Sequence, residues 1–227
     1  MTAGDHAARQ QSSWIANASA WTDAVREGRI ASRRNGTDAA IIEACHAVPG
    51  MRVLDVGCGE GWLSRAIASR GASVIGVDAS EPLINAARAA GSATYEVADY
   101  ELLATRADVV PGPFDLIVLN FALLDEEISP LLRNLSARLA DGGRLIIQTV
   151  HPFVAAGPDG YVDGWREERF TTFGDGFSAP MPWFFRTFAS WYKVLIASDL
   201  LLSNLREPRA PDGSVLSLLM ESRRAHY

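Results

Sequence analysis

The sequence predicts an α/β protein whose sheet is mostly parallel and covered on both faces. Three observations predict it. Short apolar, β-branched runs alternate with helical stretches of about ten residues, the rhythm of βαβ units. Several of these runs are almost continuously apolar, as strands buried on both faces are. The first of them, Arg52 to Val56, runs straight into Gly57-Cys58-Gly59-Glu60-Gly61 and then into a helix.

The elements follow in order. Trp14, Ala18, Trp21 and Val25 fall on one face of a helix at spacings of four, three and four. A second helix is expected from Thr37, as N-cap, to Ala47, stopped by Pro49-Gly50. After the first strand and the glycine loop, Trp62 to Arg70 reads as a helix closed by Gly71. Ser73 to Val77 is a strand that ends at Asp78. Glu81 to Ala90 is a helix, with Glu81-Pro82 suited to a first turn. Ala93 to Val97 is a strand ending near Asp99, and Phe114 to Leu119 is the next. Glu127 to Leu139 is a helix, and Asp141-Gly142-Gly143 turns the chain into the strand Arg144 to Val150. Thr187 caps a helix from Phe188 to Ser198. Leu200–Leu205 and Val215–Met220 close the sheet.

Residues 151–190 break this rhythm. They are rich in glycine, proline and aromatic residues, and a long insertion of that kind in a compact domain is usually a lid or binding loop. Tyr161, Trp165, Trp183 and Tyr192 combine apolar area with a polar tip suited to an acceptor pocket. Arg166, Glu167, Glu168 and Arg169 read as a solvated strand face.

Composition narrows the function. The 227 residues are 48% hydrophobic and 21% charged, which excludes global disorder and suits one large domain. With 21 Lys and Arg against 27 Asp and Glu, the net charge is −6, so no nucleic-acid partner is expected. Cys45 and Cys58 cannot form a disulfide framework. Met1 to His6 lacks the basic segment of a signal peptide. The apolar stretch Leu116 to Leu124 contains Asn120 and is far shorter than a membrane span. A cytoplasmic protein with no membrane partner is expected.

The glycine loop carries the strongest functional signal. A strand entering glycines and then a helix lets backbone N–H groups approach a ligand. Asp78, at the end of the next strand, is placed to accept both hydrogens of a ribose diol. A dinucleotide fingerprint needs a third glycine where this chain has the bulky Trp62. Asp55, two residues before the first glycine, suits a cationic or zwitterionic ligand better than a pyrophosphate.

On these residues the chain resembles the class I S-adenosylmethionine-dependent methyltransferases of small-molecule type, methyltransferase type 11/12-like. Asp55-x-Gly57-x-Gly59-x-Gly61 matches the first motif, and Asp78 the ribose-binding acid. Asp99, before Tyr100, matches the residue that holds the adenine amino group. Phe114 to Asn120 and Leu139 to Ile146 match the fourth-strand motif and the turn into the fifth strand. The resemblance covers about residues 30–225. It implies a Rossmann-like, doubly wound seven-stranded sheet of order 3-2-1-4-5-7-6, with strand 7 antiparallel and helices on both faces. It implies a single domain over 1–227, with 1–48 as a helical cap and 151–190 as a lid. The implied cofactor is S-adenosylmethionine, leaving S-adenosylhomocysteine as product. It would lie against Asp55, Gly57, Cys58 and Gly59, then Asp78 and Ala79, then Asp99 and Tyr100, and finally Asn120 and Phe121.

Methyl transfer from a sulfonium is an in-line displacement, so the protein must chiefly align the acceptor and exclude water. No metal is required. His151, directly after the fifth strand, is the catalytic base candidate, because imidazole titrates near neutrality. Arg33 or Arg34 is a candidate partner for the cofactor carboxylate. Asp115 is expected to be structural, and Cys58 to be a small residue fitting its loop. Nucleic-acid and glutamine methylases carry Asn or Asp followed by Pro-Pro-aromatic after strand 4; Asn120-Phe121-Ala122-Leu123 departs from that. A small organic acceptor is therefore expected, with the methylated atom and a monomer or homodimer left open. A nicotinamide-dependent oxidoreductase, a non-catalytic cofactor-binding module and a protein methyltransferase stay open as alternatives.

Overall fold

The computed structural model describes residues 3–106 and 108–225. The leader reading rests partly on Met1 and Thr2, which lie outside the described residues, as do the two terminal residues of the expected 1–227 domain.

The sheet strands are β1 (Arg52–Val56), β2 (Ser73–Asp78), β3 (Thr94–Val97), β4 (Phe114–Asn120) and β5 (Leu139–Val150). A separate hairpin, β6 (Gly164–Glu168) with β7 (Met181–Phe185), precedes β8 (Leu200–Arg206) and β9 (Ser217–Arg224). The seven-stranded sheet has the order β3-β2-β1-β4-β5-β9-β8. Strands β1 to β5 are parallel, while β9 runs antiparallel to both β5 and β8. This is the expected order 3-2-1-4-5-7-6, with the hairpin inserted before the last two strands.

Period-two alternation explains why both faces are covered. Val53, Leu116, Val118 and Ile146 point to one side, where they pack on helices α2 (Asp38–Cys45) and α3 (Trp62–Ala68) through Ile41, Cys45, Leu63 and Ile67. Leu54, Val56, Ile117, Leu119 and Leu145 point to the other. There they meet Leu103, Leu132, Leu135 and Trp191 from α5 (Tyr100–Thr105), α6 (Ser129–Ala137) and α8 (Phe188–Ala197). Helix α3 has only seven residues, too few to be stable alone. Burial of Leu63 and Ile67, about 1.5–3 kcal/mol each, holds it in place. Helix α4 (Glu81–Ala90) docks Leu83, Ile84 and Ala87, and the single turn α7 (Pro152–Ala155) follows β5.

Helix α1 (Ala3–Arg26) departs from the amphipathic pattern. Its buried residues include His6, Gln10, Ser13 and Asn17 as well as Ala18 and Ala24. Trp14 and Trp21 line a cavity instead of joining the core. A new helix starts where expected, at Asp38 directly after Thr37. A kink at Gly36, φ +152°, separates it from the helical turn before it, and the Thr37 hydroxyl makes no capping bond. Helix α2 ends early, at Cys45, because His46 adopts a left-handed conformation. The cap expected at Thr187 forms, with its hydroxyl accepting Ser190 N. Asp115 is structural: its carboxylate accepts Arg52 N at 2.8 Å. Both cysteines are free and buried.

Candidate active site

A cavity of about 620 Å³ opens at the carboxyl ends of β1, β2 and β4. That is where ligands bind in open α/β sheets, and the volume is typical of a small-molecule site. Its floor is Gly57, Cys58, Gly59, Asp78, Ala79, Asp99, Tyr100, Asn120 and Phe121. Nine of the ten expected cofactor residues therefore meet on one surface.

The glycine loop is held by backbone bonds. Gly57 N and Cys58 N both donate to Val77 O, at 2.8 and 3.0 Å. Gly59 N donates to Asp78 Oδ2 at 2.9 Å, and Ser80 N to Asp78 Oδ1 at 2.8 Å. Asp78 thus fixes the loop and the start of α4 while still lining the cavity. Burial raises its pKa, opposed by these N–H donors. A Cβ on Gly57 would sit 2.4 Å from Ala122 Cβ, so β1 can approach the chain beyond β4 only with glycine there. The third glycine serves packing: a Cβ on Gly61 would meet Tyr95 Oη at 2.6 Å.

The rest of the floor is equally ordered. Asp99 Oδ1 caps α5 by accepting Leu102 N at 2.7 Å. The Tyr100 hydroxyl donates to Ala122 O, tying α5 to the segment after β4. Asn120 Oδ1 is buried with no protein partner, an acceptor available to a ligand. Phe121 holds φ +53° at the strand end, an uncommon conformation for a bulky residue, and its N donates to Gln148 O.

Two expected residues stand behind the wall. Asp55 is buried beneath the loop and accepts Ser64 Oγ at 2.6 Å. Burial pushes its pKa up to about 7. It is absent from the cavity lining because a β1 side chain at this register points into the layer under α3. His151 is also outside the lining. Its Nε2 lies 2.9 Å from Glu207 Oε1, and its ring packs edge-on to Phe188. Its buried Nδ1 has no protein partner.

The roof is aromatic, with one of the four side chains expected there. Trp183 lines the cavity, but Tyr161, Trp165 and Tyr192 do not. Trp165 is taken up by stacking on His6, with ring centroids 3.8 Å apart, and Tyr161 by stacking on Phe153. Trp14, Trp21, Phe170, Phe173, Phe184 and Trp191 form the roof instead. Glu168, expected on a solvated face, lines the cavity and accepts Phe170 N at 2.6 Å. Arg33 lines it too, bound to Asp38 at 2.9 Å and lying over the Trp62 ring. Arg34 donates instead to Gly28 O.

Sequence reasoning missed Gln10, Glu60, Asp125 and Arg186. Gln10 Nε2 donates to both Leu124 O and Pro182 O, at 3.0 Å each. Arg186 is buried and donates to Asp125 O and Glu126 O, and burial brings its pKa down to about 10. The available signals were a lone cation within an aromatic run and an acidic run after β4.

Fold and floor together define a class I, Rossmann-like methyltransferase architecture. Residues 53–143, the stretch that holds the glycine loop, Asp78, Asp99 and Asn120, match the family model described as a methyltransferase domain. Two relatives are named ubiquinone biosynthesis O-methyltransferase. The one from Idiomarina loihiensis is 37% identical over 106 residues, 45% of this chain and 43% of its own length. The one from Xanthomonas campestris pv. campestris is 33% identical over 147 residues, 63% of this chain and 61% of its own length. The chain thus spans about half of each of these relatives. An S-adenosylmethionine-dependent methyltransferase structure from Mesorhizobium loti is 27% identical, with TM-score 0.66, covering 82% of this chain and 96% of that one. Among the described residues, no helix is long and apolar enough to cross a membrane.

Proposed function

We propose that the chain transfers a methyl group from S-adenosylmethionine to a small organic acceptor. One observation carries the reading: the glycine loop, the Asp78 carboxylate and the unpartnered Asn120 Oδ1 converge on a single cavity under an aromatic roof. The residues fit the cofactor's chemistry. Asp78 would accept from the ribose hydroxyls, Asp99 and Tyr100 would flank the adenine, and Gly57 to Gly59 would let the backbone approach. Asn120 Oδ1 would accept from the cofactor's ammonium. Arg33, partly neutralised by Asp38, would approach its carboxylate. When bound, the cofactor supplies an electrophilic methyl group whose departure leaves a neutral thioether.

The chain's own contribution is then alignment and dryness. Trp14 and Trp21 from α1, with Phe170 and Trp183 from the lid, exclude water over the acceptor side. Residues 1–48 act as the cap and 151–190 as the lid of one domain. Asp55 supports the loop from beneath. His151 braces the end of β5 through Glu207 instead of acting as base. The names of the two relatives favour an oxygen acceptor. A cytoplasmic location, a monomeric or dimeric state and the lack of a nucleic-acid partner belong to the same reading. Two free cysteines and the −6 charge support it.

Calorimetric titration with S-adenosylhomocysteine tests the proposal. One-to-one binding is expected, with Asp78→Ala weakening it at least tenfold, the scale of a lost hydrogen bond to a charged group. Folded protein that binds NADH and not S-adenosylhomocysteine would turn the reading toward an oxidoreductase.

A further inference from the structure

Resting on that methyltransferase reading, we infer that Asp125 takes the proton of the methyl acceptor, and that the acceptor is a planar aromatic compound bearing an O–H or ring N–H. Asp125 lies five residues beyond the end of β4 and lines the cavity. It acts electrostatically on Tyr100 of the floor and on Arg186 at the end of the lid hairpin. It therefore stands where the cofactor side meets the aromatic side.

Of the five other carboxylates lining the cavity, Glu101 is exposed to solvent in the first turn of α5 and the remaining four have assigned work. Asp78 holds Gly59 N and Ser80 N, and Asp99 caps α5. Asp38 pairs with Arg33, and Glu168 accepts Phe170 N. Among the described residues the Asp125 carboxylate feels the field of Arg186 and lies near the Gln10 amide, whose N–H groups are engaged by Leu124 O and Pro182 O. Its fixed position comes from its backbone, since the Arg186 guanidinium donates to the carbonyls of Asp125 and Glu126. The Nη1 of the same guanidinium is buried with no protein partner. The carboxylate itself takes none of the hydrogen bonds by which Arg186 holds this segment.

The chemistry follows from these neighbours. A carboxylate in a mostly apolar wall is a stronger base than a solvated one, and burial raises this one. An anionic acceptor atom would be repelled by it, whereas a neutral O–H or N–H would donate to it. Trp14, Trp183, Phe184 and Trp191 offer ring faces for a flat acceptor. In the transfer, the acceptor atom's electron pair forms the new bond to methyl and the methyl–sulfur pair stays on sulfur. The acceptor's proton passes to Asp125.

Binding to the protein saturated with S-adenosylhomocysteine tests this. The probes are catechol and 8-hydroxyquinoline, each compared with its methyl ether, and cyclohexanol. At least one planar protic probe should bind ten times more tightly than its methyl ether and than cyclohexanol. Asp125→Asn keeps the backbone contact with Arg186. It should cut that preference to under threefold with S-adenosylhomocysteine affinity unchanged. No preference in the native protein, or an equal preference in Asp125→Asn, overturns the inference alone. Failure of folded protein to bind S-adenosylhomocysteine overturns the methyltransferase reading and this inference with it.

Discussion

Arg26 Nε on α1 lies 2.9 Å from Oε2 of Glu60, a carboxylate fully shielded from solvent within the glycine loop. Arg65 approaches the same carboxylate from α3 at 2.8 and 2.9 Å and also donates to the Glu60 carbonyl. A buried carboxylate between two guanidinium groups couples the N-terminal helix to the loop that shapes the cavity floor.

The two arginines should differ in their effect on stability. Arg65 makes three bonds and is mostly buried, so Arg65→Ala leaves a buried charge short of its main partner and should cost about 3 kcal/mol. Arg26 is 44% exposed and makes one bond to Glu60, so Arg26→Ala should cost about 1 kcal/mol. Urea unfolding of the two variants checks the order. Equal losses would show that the carboxylate does not depend on Arg65.

The three loop glycines should also separate. All have positive φ, at +72°, +56° and +82° for Gly57, Gly59 and Gly61, so alanine at any of them strains the backbone by about 1–2 kcal/mol. At Gly59 the nearest atom to a new Cβ is Trp21 Nε1 at 3.6 Å, an ordinary contact. At Gly57 and Gly61 the new Cβ would collide with Ala122 and Tyr95, adding about 1–3 kcal/mol of overpacking. Denaturation midpoints should therefore rank Gly59→Ala above both of the others.

These cases show what was legible in the sequence. The strands were readable because each parallel strand is a local apolar run, and the resemblance supplied their order. Gly57, Asp78 and Asn120 were readable because they sit at fixed distances from strand ends. Helix α5 was not, since six residues carry too little periodicity. The helix start beside Thr37 was readable but its cap was not: after the kink at Gly36, Thr37 already holds helical φ and ψ, and its hydroxyl makes no capping bond. The roof failed for a different reason. Which of many aromatics face inward is decided by contacts across more than a hundred residues, such as His6 on Trp165. Asp55 and His151 met the right spacing, yet Ser64 and Glu207 engage them outside the cavity lining.

Asn17 should govern how firmly α1 holds the lid. Its fully buried amide donates to Ala179 O at 2.7 Å and accepts Ser178 N at 2.8 Å. Asn17→Ala removes the acceptor of Ser178 N and leaves Ala179 O to the Ser13 hydroxyl, and should cost about 2 kcal/mol. Hydrogen exchange should accelerate at Ser178 and Ala179 before it does in the central strands. Uniform acceleration would mean that α1 and the lid do not open as a separate unit.

The buried Asp55 carboxyl sets a direction for the pH dependence of stability. Its pKa rises from an ordinary 3.8 to about 7 on folding, chiefly through burial and despite the Ser64 hydrogen bond. Between those values the folded chain binds more protons at this group than the unfolded chain does. Its contribution to stability is therefore fully present below pH 3.8 and is lost as pH rises through about 7. Asp78, also raised by burial, acts with the same sign, so Asp55→Asn should remove part of the slope and not all of it. An asparagine still accepts the Ser64 hydroxyl and carries no charge to desolvate. The variant should thus gain on the native chain between pH 5 and pH 8, read as the difference in urea midpoints at the two values. Parallel shifts at both would mean that the Asp55 carboxyl titrates in the folded chain as it does in the unfolded one.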